Sequence, residues 1–82
     1  MYIVIIQEKP LIQMPFEDVL AITKKINGHV LFVRKYKTPH RAFLGLLREL
    51  NKIRTIRNIE PYFCIANVEK GSLNIPVVPH AD

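Results

Sequence analysis

The chain contains one cysteine, Cys64, and three glycines among its 82 residues. A single cysteine excludes an intrachain disulfide, a cysteine-pair metal site and a CxxC redox centre, and it suits a reducing compartment. We expect Cys64 to be a buried structural thiol. The glycines at positions 28, 45 and 71 are too dispersed for a phosphate-binding loop, so we interpret them as a helix stop, a gap within a helix and a turn.

Patterns that would indicate catalysis are also lacking. His29, His40 and His80 are widely separated, and their spacing matches neither a metal motif such as HExxH nor a dyad with a nearby carboxylate. Glu17 and Asp18 are adjacent on a predicted helix and diverge by about 100°, which suits compensation of the helix dipole better than acid-base chemistry. We therefore predict that the protein is not an enzyme and needs no cofactor, metal or small-molecule substrate.

No hydrophobic run is long. The apolar segment Tyr2–Ile6 is too short for a signal peptide or a membrane span, and we expect a cytoplasmic protein without a membrane partner. Hydrophobic residues make up 49% of the chain, which favours a folded domain over a basic tail. Residues 1–82 should form one small domain, for which dimerisation is a common source of stability.

Positive charge is concentrated in one window. Residues 34–57 carry +7, the residues before them are neutral, and those after them carry −2, within a total of +5. Glu49 is the single acid in that window. A localised positive surface attracts polyanions, so nucleic acid is the first partner to consider. The window's basic residues are Arg34, Lys35, Lys37, Arg41, Arg48, Lys52, Arg54 and Arg57.

Hydrophobic periodicity predicts the element order β-α-β-α-β-β. The runs Tyr2–Ile6 and Val30–Val33 are typical of strands buried on both faces. A first helix should begin at Pro15 and end at Asn27-Gly28. Right-handed crossovers would then place both helices on one face of the sheet, or one on each face.

The second half of the chain carries clearer boundary signals. Thr38 suits a helix N-cap and Pro39 the first helical position, and the apolar spacing continues to about Ile56. Residues 61–68 should form a strand, followed by a glycine-containing turn and a final strand over 73–78. Because Pro76 cannot donate a ladder hydrogen bond, that last strand should lie at an edge of the sheet.

The second predicted helix arranges its cations in a row. Arg41, Gly45, Arg48 and Lys52 should project opposite the apolar stripe, with Gly45 as a gap and Glu49 projecting to the side. A solvated helix face is the common alternative for such a row, but the scarcity of acids favours a binding surface. Tyr36 either stacks on an unpaired base or packs over a strand end.

Three segments share the order and spacing of a known family: residues 3–12 (IVIIQEKPLI), residues 18–21 (DVLA) followed by Asn27-Gly28, and residues 37–43 (KTPHRAF). They resemble the Alba family of small archaeal chromatin and RNA-binding proteins. The resemblance implies an α/β fold of order β-α-β-α-β-β, related to the C-terminal domain of bacterial translation initiation factor three. It also implies a homodimer that binds double-stranded DNA and RNA with little sequence preference.

The resemblance assigns roles to particular residues. Lys9 matches a lysine before proline that touches the phosphate backbone in Alba proteins, and Lys37 and Arg41 match basic positions that flank the second helix's start. Gln7 and Glu8 stand where the family usually has a glycine and a further lysine. The predicted hairpin is short, with Lys70 as its one cation, so insertion of a hairpin arm into the minor groove is not expected.

Together these features predict a single two-layer α/β domain, Alba-like, that binds double-stranded DNA or RNA through phosphate contacts and without sequence specificity. The sequence does not choose between DNA and RNA. The same element order also suits a thioredoxin-like or similar small scaffold that acts as a protein-binding adaptor or regulator. The predicted nucleic-acid contacts are Lys9, Arg34, Lys35, Lys37, Arg41, Arg48 and Lys52.

Overall fold

The computed structural model describes residues 1–8 and 30–78. Lys9, the predicted first helix, His29 and His80 lie outside the described residues. Within the described ranges the chain forms four strands and one helix. They are β1 (Tyr2–Gln7), β2 (Val30–Tyr36), α1 (Pro39–Arg57), β3 (Tyr62–Asn67) and β4 (Ser72–Asn74).

Strand β1 lies in the middle of the sheet. The four strands follow the order β2-β1-β3-β4, and every neighbouring pair is antiparallel. The four consecutive side chains from Ile3 to Ile6 are each at most 1% exposed. The prediction that this β-branched run forms a strand covered on both faces is confirmed.

The connection between β1 and β2 differs from the predicted crossover. Gln7 pairs with Val30, so the chain leaves β1 and enters β2 at the same end of the sheet. An antiparallel pair needs no crossover, and the crossover prediction is therefore wrong for these two strands. The parallel strands are instead β2 and β3, because each is antiparallel to β1, which lies between them. Helix α1 connects them in a split β-α-β arrangement, and the coarse α/β class is confirmed.

Helix α1 begins and ends where the sequence signals predict. Thr38 is extended (φ −128°, ψ 153°), and its Oγ1 accepts a hydrogen bond from the Arg41 backbone N–H at 3.2 Å. Pro39 occupies the first turn, where a missing N–H costs nothing. Asn58 adopts the left-handed conformation (φ 53°, ψ 43°) and caps the C-terminus.

Among the described residues, the larger core cluster lies on the side of the sheet that faces α1. Val4 and Ile6 of β1 pack with Ala42, Leu46 and Leu50 of α1, and all five are fully buried. The helical residues follow the i, i+4, i+8 spacing that puts one apolar stripe on the sheet. Truncating such a fully buried leucine to alanine costs about 2–5 kcal/mol. We call this face the helix side.

The opposite side of the sheet is also apolar. Ile3 and Ile5 cluster with Cys64 and Ala66, and Val33 packs against them. Cys64 is 1% exposed, and burial raises the pKa of its thiol to about 11. The expectation of a buried structural thiol is confirmed.

A short hairpin ends the described part of the chain. Gly71 has φ +64°, which favours glycine, and the Lys70 N–H donates to Asn67 Oδ1 at 3.3 Å. Strand β4 lies at the sheet edge as predicted, but it covers Ser72–Asn74 instead of extending to residue 78. The ladder ends two residues before Pro76, which has no N–H to donate. No helix in residues 1–8 or 30–78 has the length and apolar character of a membrane span.

Candidate nucleic-acid interface

Four of the predicted contact residues lie where β2 ends and α1 begins. We call Arg34, Lys35, Lys37 and Arg41 the basic junction; all four side chains are exposed. Phe32 and Tyr36 face the helix side and Val33 the opposite side, so strand alternation puts Arg34 on the helix side and Lys35 on the other. Because β2 is the outermost strand of the sheet in the part of the chain that the structure describes, the cations lie on both sides of this strand instead of covering one flat face.

Tyr36 lies at the centre of the basic junction. The Arg34 guanidinium carbon is 5.6 Å from the centroid of the Tyr36 ring, a cation–π geometry worth about 0.5–1 kcal/mol at an exposed site. Lys35 and Lys37 line one surface pocket of about 370 Å³ together with Met1 and Tyr36. The structure thus gathers three of the predicted cations around one aromatic side chain.

Gly45 fixes Tyr36 against the helix. A Cβ atom at Gly45 would lie 2.5 Å from Tyr36 Cζ and 2.8 Å from Cε2, and closer still to the hydroxyl oxygen. Gly45 is buried, so the prediction that it forms a gap in the exposed cationic row is wrong. The flank of α1 lies over the end of β2, and only a residue without a side chain allows that approach. The sequence contained a signal for this contact. Glycine within a helix lowers the helix's stability, so a glycine at such a position indicates that packing requires it.

The two readings of Tyr36 are decided by its surroundings. The side chain belongs to the cluster on the helix side. Its hydroxyl oxygen is buried and finds no hydrogen-bond partner among residues 1–8 and 30–78, and burying an unpartnered hydroxyl costs about 1–3 kcal/mol. A ring held in this way packs over the strand end, so base stacking by Tyr36 is not supported.

The cationic row along α1 is less one-sided than predicted. Arg48 and Lys52 are exposed, but Glu49 Oε1 lies 4.0 Å from Arg48 Nε and 3.4 Å from Lys52 Nζ. The prediction that Glu49 projects to the side and leaves the row one-sided is therefore wrong. Such exposed pairs contribute little stability, yet the carboxylate lowers the positive potential in the middle of the helix. Arg41 and Lys52 are about 16 Å apart along the helix axis.

The positive charges in the last turns of α1 are neutralised more fully than those in the middle of the helix. Arg54 Nε donates to both carboxylate oxygens of Glu60, at 2.9 and 3.1 Å. Arg57 Nη1 lies 3.5 Å from Glu8 Oε1. The positive charge of the window is thus uneven, and these two arginines at its C-terminal end each have an acidic partner.

The basic junction differs from the last turns of α1 in whether its cations have acidic partners. Within residues 1–8 and 30–78, none of its four cations lies within 4.0 Å of a carboxylate oxygen. The first turn of α1 also contains no acid, although acids are favoured there by the helix dipole. The partial positive charge of the helix N-terminus adds to that of Lys37 and Arg41, which favours anion binding at this end of α1.

His40 is the histidine that lies within the described residues. His40 is exposed in the first turn of α1, and no three His, Cys, Asp or Glu side chains in the described ranges group as metal ligands. Comparison with family models, curated proteins and solved structures gave no match. The Alba resemblance therefore depends on the residues quoted for it.

Proposed function

We propose that the protein binds double-stranded nucleic acid, DNA or RNA, without sequence specificity and without catalysis. The observation that carries the proposal is the basic junction, whose four exposed cations have no carboxylate within ion-pair distance among the described residues. Arg48 and Lys52 extend this surface along α1, and Lys9 belongs to it by the sequence prediction.

The arrangement favours phosphate contacts over the reading of bases. Long, flexible lysine and arginine side chains around a narrow edge can each reach a backbone phosphate, and each contact releases condensed counterions. Sequence reading requires side chains held against base edges in a groove. No such constraint acts on the exposed cations of the basic junction. Binding should therefore be tolerant of sequence and weakened steeply by salt.

The finer parts of the proposal are an Alba-like fold, a homodimer and a chromatin or RNA-coating role. Lys37 and Arg41, two of the four junction cations, belong to the segment 37–43 that resembles the family. Thr38 and Pro39 of the same segment start the helix that carries Arg41. A dimer would double the basic surface, and sedimentation equilibrium measures whether the protein has twice its monomer mass of 9.5 kDa.

Charge neutralisation at the basic junction tests the proposal. The variant Lys37→Gln/Arg41→Gln removes two uncompensated charges from exposed positions. We expect its affinity for a labelled 20-base-pair duplex to fall about tenfold or more at moderate salt, as measured by fluorescence anisotropy, because each lost phosphate contact removes a counterion-release term. Its log-log salt slope should become shallower by about 2 for each protomer that contacts the duplex, and so by about 4 for a dimer.

The matched control is Arg54→Gln/Arg57→Gln, which removes the same net charge at the other end of α1. Both arginines have acidic partners, so this variant should bind within about threefold of the wild type. Equal losses in the two variants would show that net charge alone drives binding and would remove the basic junction from the proposal. Thermal unfolding of all three proteins verifies that they are folded.

One observation favours the protein-binding alternative. Ile75 and Val77, which follow the edge strand β4, are 67% and 93% exposed, and Leu44 on α1 is 51% exposed. Exposed apolar side chains beside a free strand edge suit docking of a partner. If the wild type fails to bind any nucleic acid at low salt, this adaptor function becomes the better account.

A further inference from the structure

A groove on the helix side of the sheet is separate from the basic junction. Helix α1 packs mainly against β1 and β2, which leaves room between its first turns and the β3–β4 hairpin. The groove has a volume of about 400 Å³, within the range of small-molecule sites. Its lining residues are Tyr2, Pro39, Phe43, Ile65, Asn67, Lys70, Ser72, Asn74 and Pro76.

The floor of the groove is formed by adjacent strands. Tyr2 of β1 pairs with Asn67 of β3, which pairs in turn with Ser72 of β4. Two residues earlier in β3, on the same face of the sheet, Ile65 pairs with Asn74 of β4. The side chains that line the groove therefore form two short rows across the sheet, one of Tyr2, Asn67 and Ser72 and one of Ile65 and Asn74.

The chemistry of this lining matches a nucleotide. Tyr2 and Phe43 are half-buried aromatic residues on which a base can stack. The amide groups of Asn67 and Asn74 offer donors and acceptors of the kind that pair with the edge of a base. The Asn67 Oδ1 already accepts from the Lys70 N–H, which leaves its NH₂ group as a donor.

The charge of the groove also suits a nucleotide. Lys70 lines it, and none of its described lining residues is acidic. Pro39 connects it to the first turn of α1, which carries Arg41 of the basic junction. A strand held by its phosphates at the junction would therefore pass close to the groove.

We propose that this groove binds one unpaired nucleotide of a nucleic-acid strand, with its base against Tyr2 and Phe43 and its edge toward Asn67 and Asn74. An apolar side chain of a protein partner is a poorer occupant, because it would bury the polar groups of Asn67, Ser72 and Asn74 without partners. The inference rests on the proposed function, because binding at the basic junction would bring the strand to the groove. It differs from that function in its site and in its single-stranded ligand.

The test compares single-stranded and duplex RNA of the same sequence. The groove variant Tyr2→Leu/Asn74→Ala keeps an apolar side chain at position 2 and removes the aromatic face and one amide. Anisotropy titrations with a labelled 12-nucleotide single strand should show a loss of about tenfold, while affinity for the duplex changes by less than about twofold. The single variant Asn74→Ala, at an exposed position, should show a smaller loss in the same direction.

The matched control is Tyr62→Leu/Asn51→Ala, which makes the same two replacements at exposed positions away from the groove. It should bind both RNAs as the wild type does. The proposal is overturned if the groove variant keeps the wild-type affinity for the single strand, or if it loses affinity equally for both RNAs.

Failure of the groove and failure of the proposed function are distinguishable. If the wild type binds neither RNA, the proposed function fails, and the groove is then tested alone with uridine 5′-monophosphate by NMR. Shifts confined to the Asn67 and Asn74 side-chain amides and the Tyr2 ring would support the groove. Unchanged resonances at millimolar nucleotide would overturn it.

Discussion

Replacing Gly45 by alanine should destabilise the protein, although the same change in an unobstructed helix is stabilising. Alanine is favoured over glycine within a helix by about 1 kcal/mol. At Gly45 the new methyl group would lie 2.5 Å from Tyr36 Cζ, whereas carbon atoms in contact prefer about 3.5–4 Å. The ring or the helix must therefore move by about 1 Å.

The size of the effect follows from these opposing terms. Forcing an extra methyl group into a packed site costs about 1–3 kcal/mol, and an overlap with a ring held between β2 and α1 belongs near the upper end. After subtraction of the gain in helix propensity, we expect Gly45→Ala to lower the free energy of unfolding by about 2 kcal/mol. A domain of this size has roughly 4–12 kcal/mol in total, so the variant should still fold.

A second substitution isolates the cause. Tyr36→Val keeps a residue suited to a strand and removes every ring atom that the new methyl group would meet. In that background Gly45→Ala should stabilise the protein by about 1 kcal/mol. The sign of the Gly45→Ala effect should thus reverse, with a coupling energy of about 3 kcal/mol between the two positions.

Urea unfolding of the four proteins, followed by circular dichroism, measures each free energy and the coupling. A Gly45→Ala variant that is stabilised equally with and without the Tyr36 ring would refute the close contact between α1 and β2. That result would also remove the packing explanation for Gly45, because the glycine would then lower helix stability without making room for the Tyr36 ring.

Three further predictions concern single side chains. Thr38→Ala removes the acceptor of the Arg41 N–H and should cost about 1 kcal/mol in chemical denaturation; an unchanged midpoint would contradict the cap. Arg54→Gln breaks a bidentate pair in which Glu60 is 57% exposed and Arg54 16%, and it should cost about 1 kcal/mol, the upper end for ion pairs at a protein surface; an unchanged free energy of unfolding would show that the pair contributes nothing to stability. Burial raises the pKa of Cys64 from 9.0 to about 11, so the unfolded thiol ionises first and stability falls as pH rises from about 9 to 11. At its maximum the slope should be steeper than that of Cys64→Ala by about 1 kcal/mol per pH unit, and equal slopes in the two proteins would contradict the buried neutral thiol.

Local signals in the sequence predicted much of the fold. Thr38 and Pro39 specified the start of α1 because their effects act within one helical turn. The β-branched run of β1 predicted a strand with two covered faces, and Gly71 predicted the turn between β3 and β4. These features need no knowledge of what lies far away in the chain.

The pairing of strands could not be predicted in the same way. Whether β1 and β2 run parallel or antiparallel depends on where the chain between them enters the sheet, and hydrophobic periodicity is the same in both cases. The burial of Gly45 was missed for a related reason. On the helical wheel it falls with the cations of the predicted row and not with the apolar stripe, and only the path of the helix over β2 brings it against Tyr36.

In the candidate site, too, local features were predicted from the sequence and contacts between distant parts of the chain were not. The sequence identified the cations of the window, but the side chains that compensate them come from other elements. Glu60 follows α1 and Glu8 follows β1, and both contact arginines near the end of α1. Proximity of this kind across the sequence appears only once the fold is known, and it concentrates the uncompensated charge at the basic junction.

The central claim is that the basic junction binds the phosphate backbone of double-stranded nucleic acid. It is tested most directly by anisotropy titrations of the wild-type protein into labelled duplex DNA and duplex RNA of two unrelated sequences at several salt concentrations. The account predicts affinities that agree within about threefold between sequences, with a log-log salt slope of about −5 for six phosphate contacts per dimer. Absence of binding at low salt, or binding that is insensitive to salt, would contradict it.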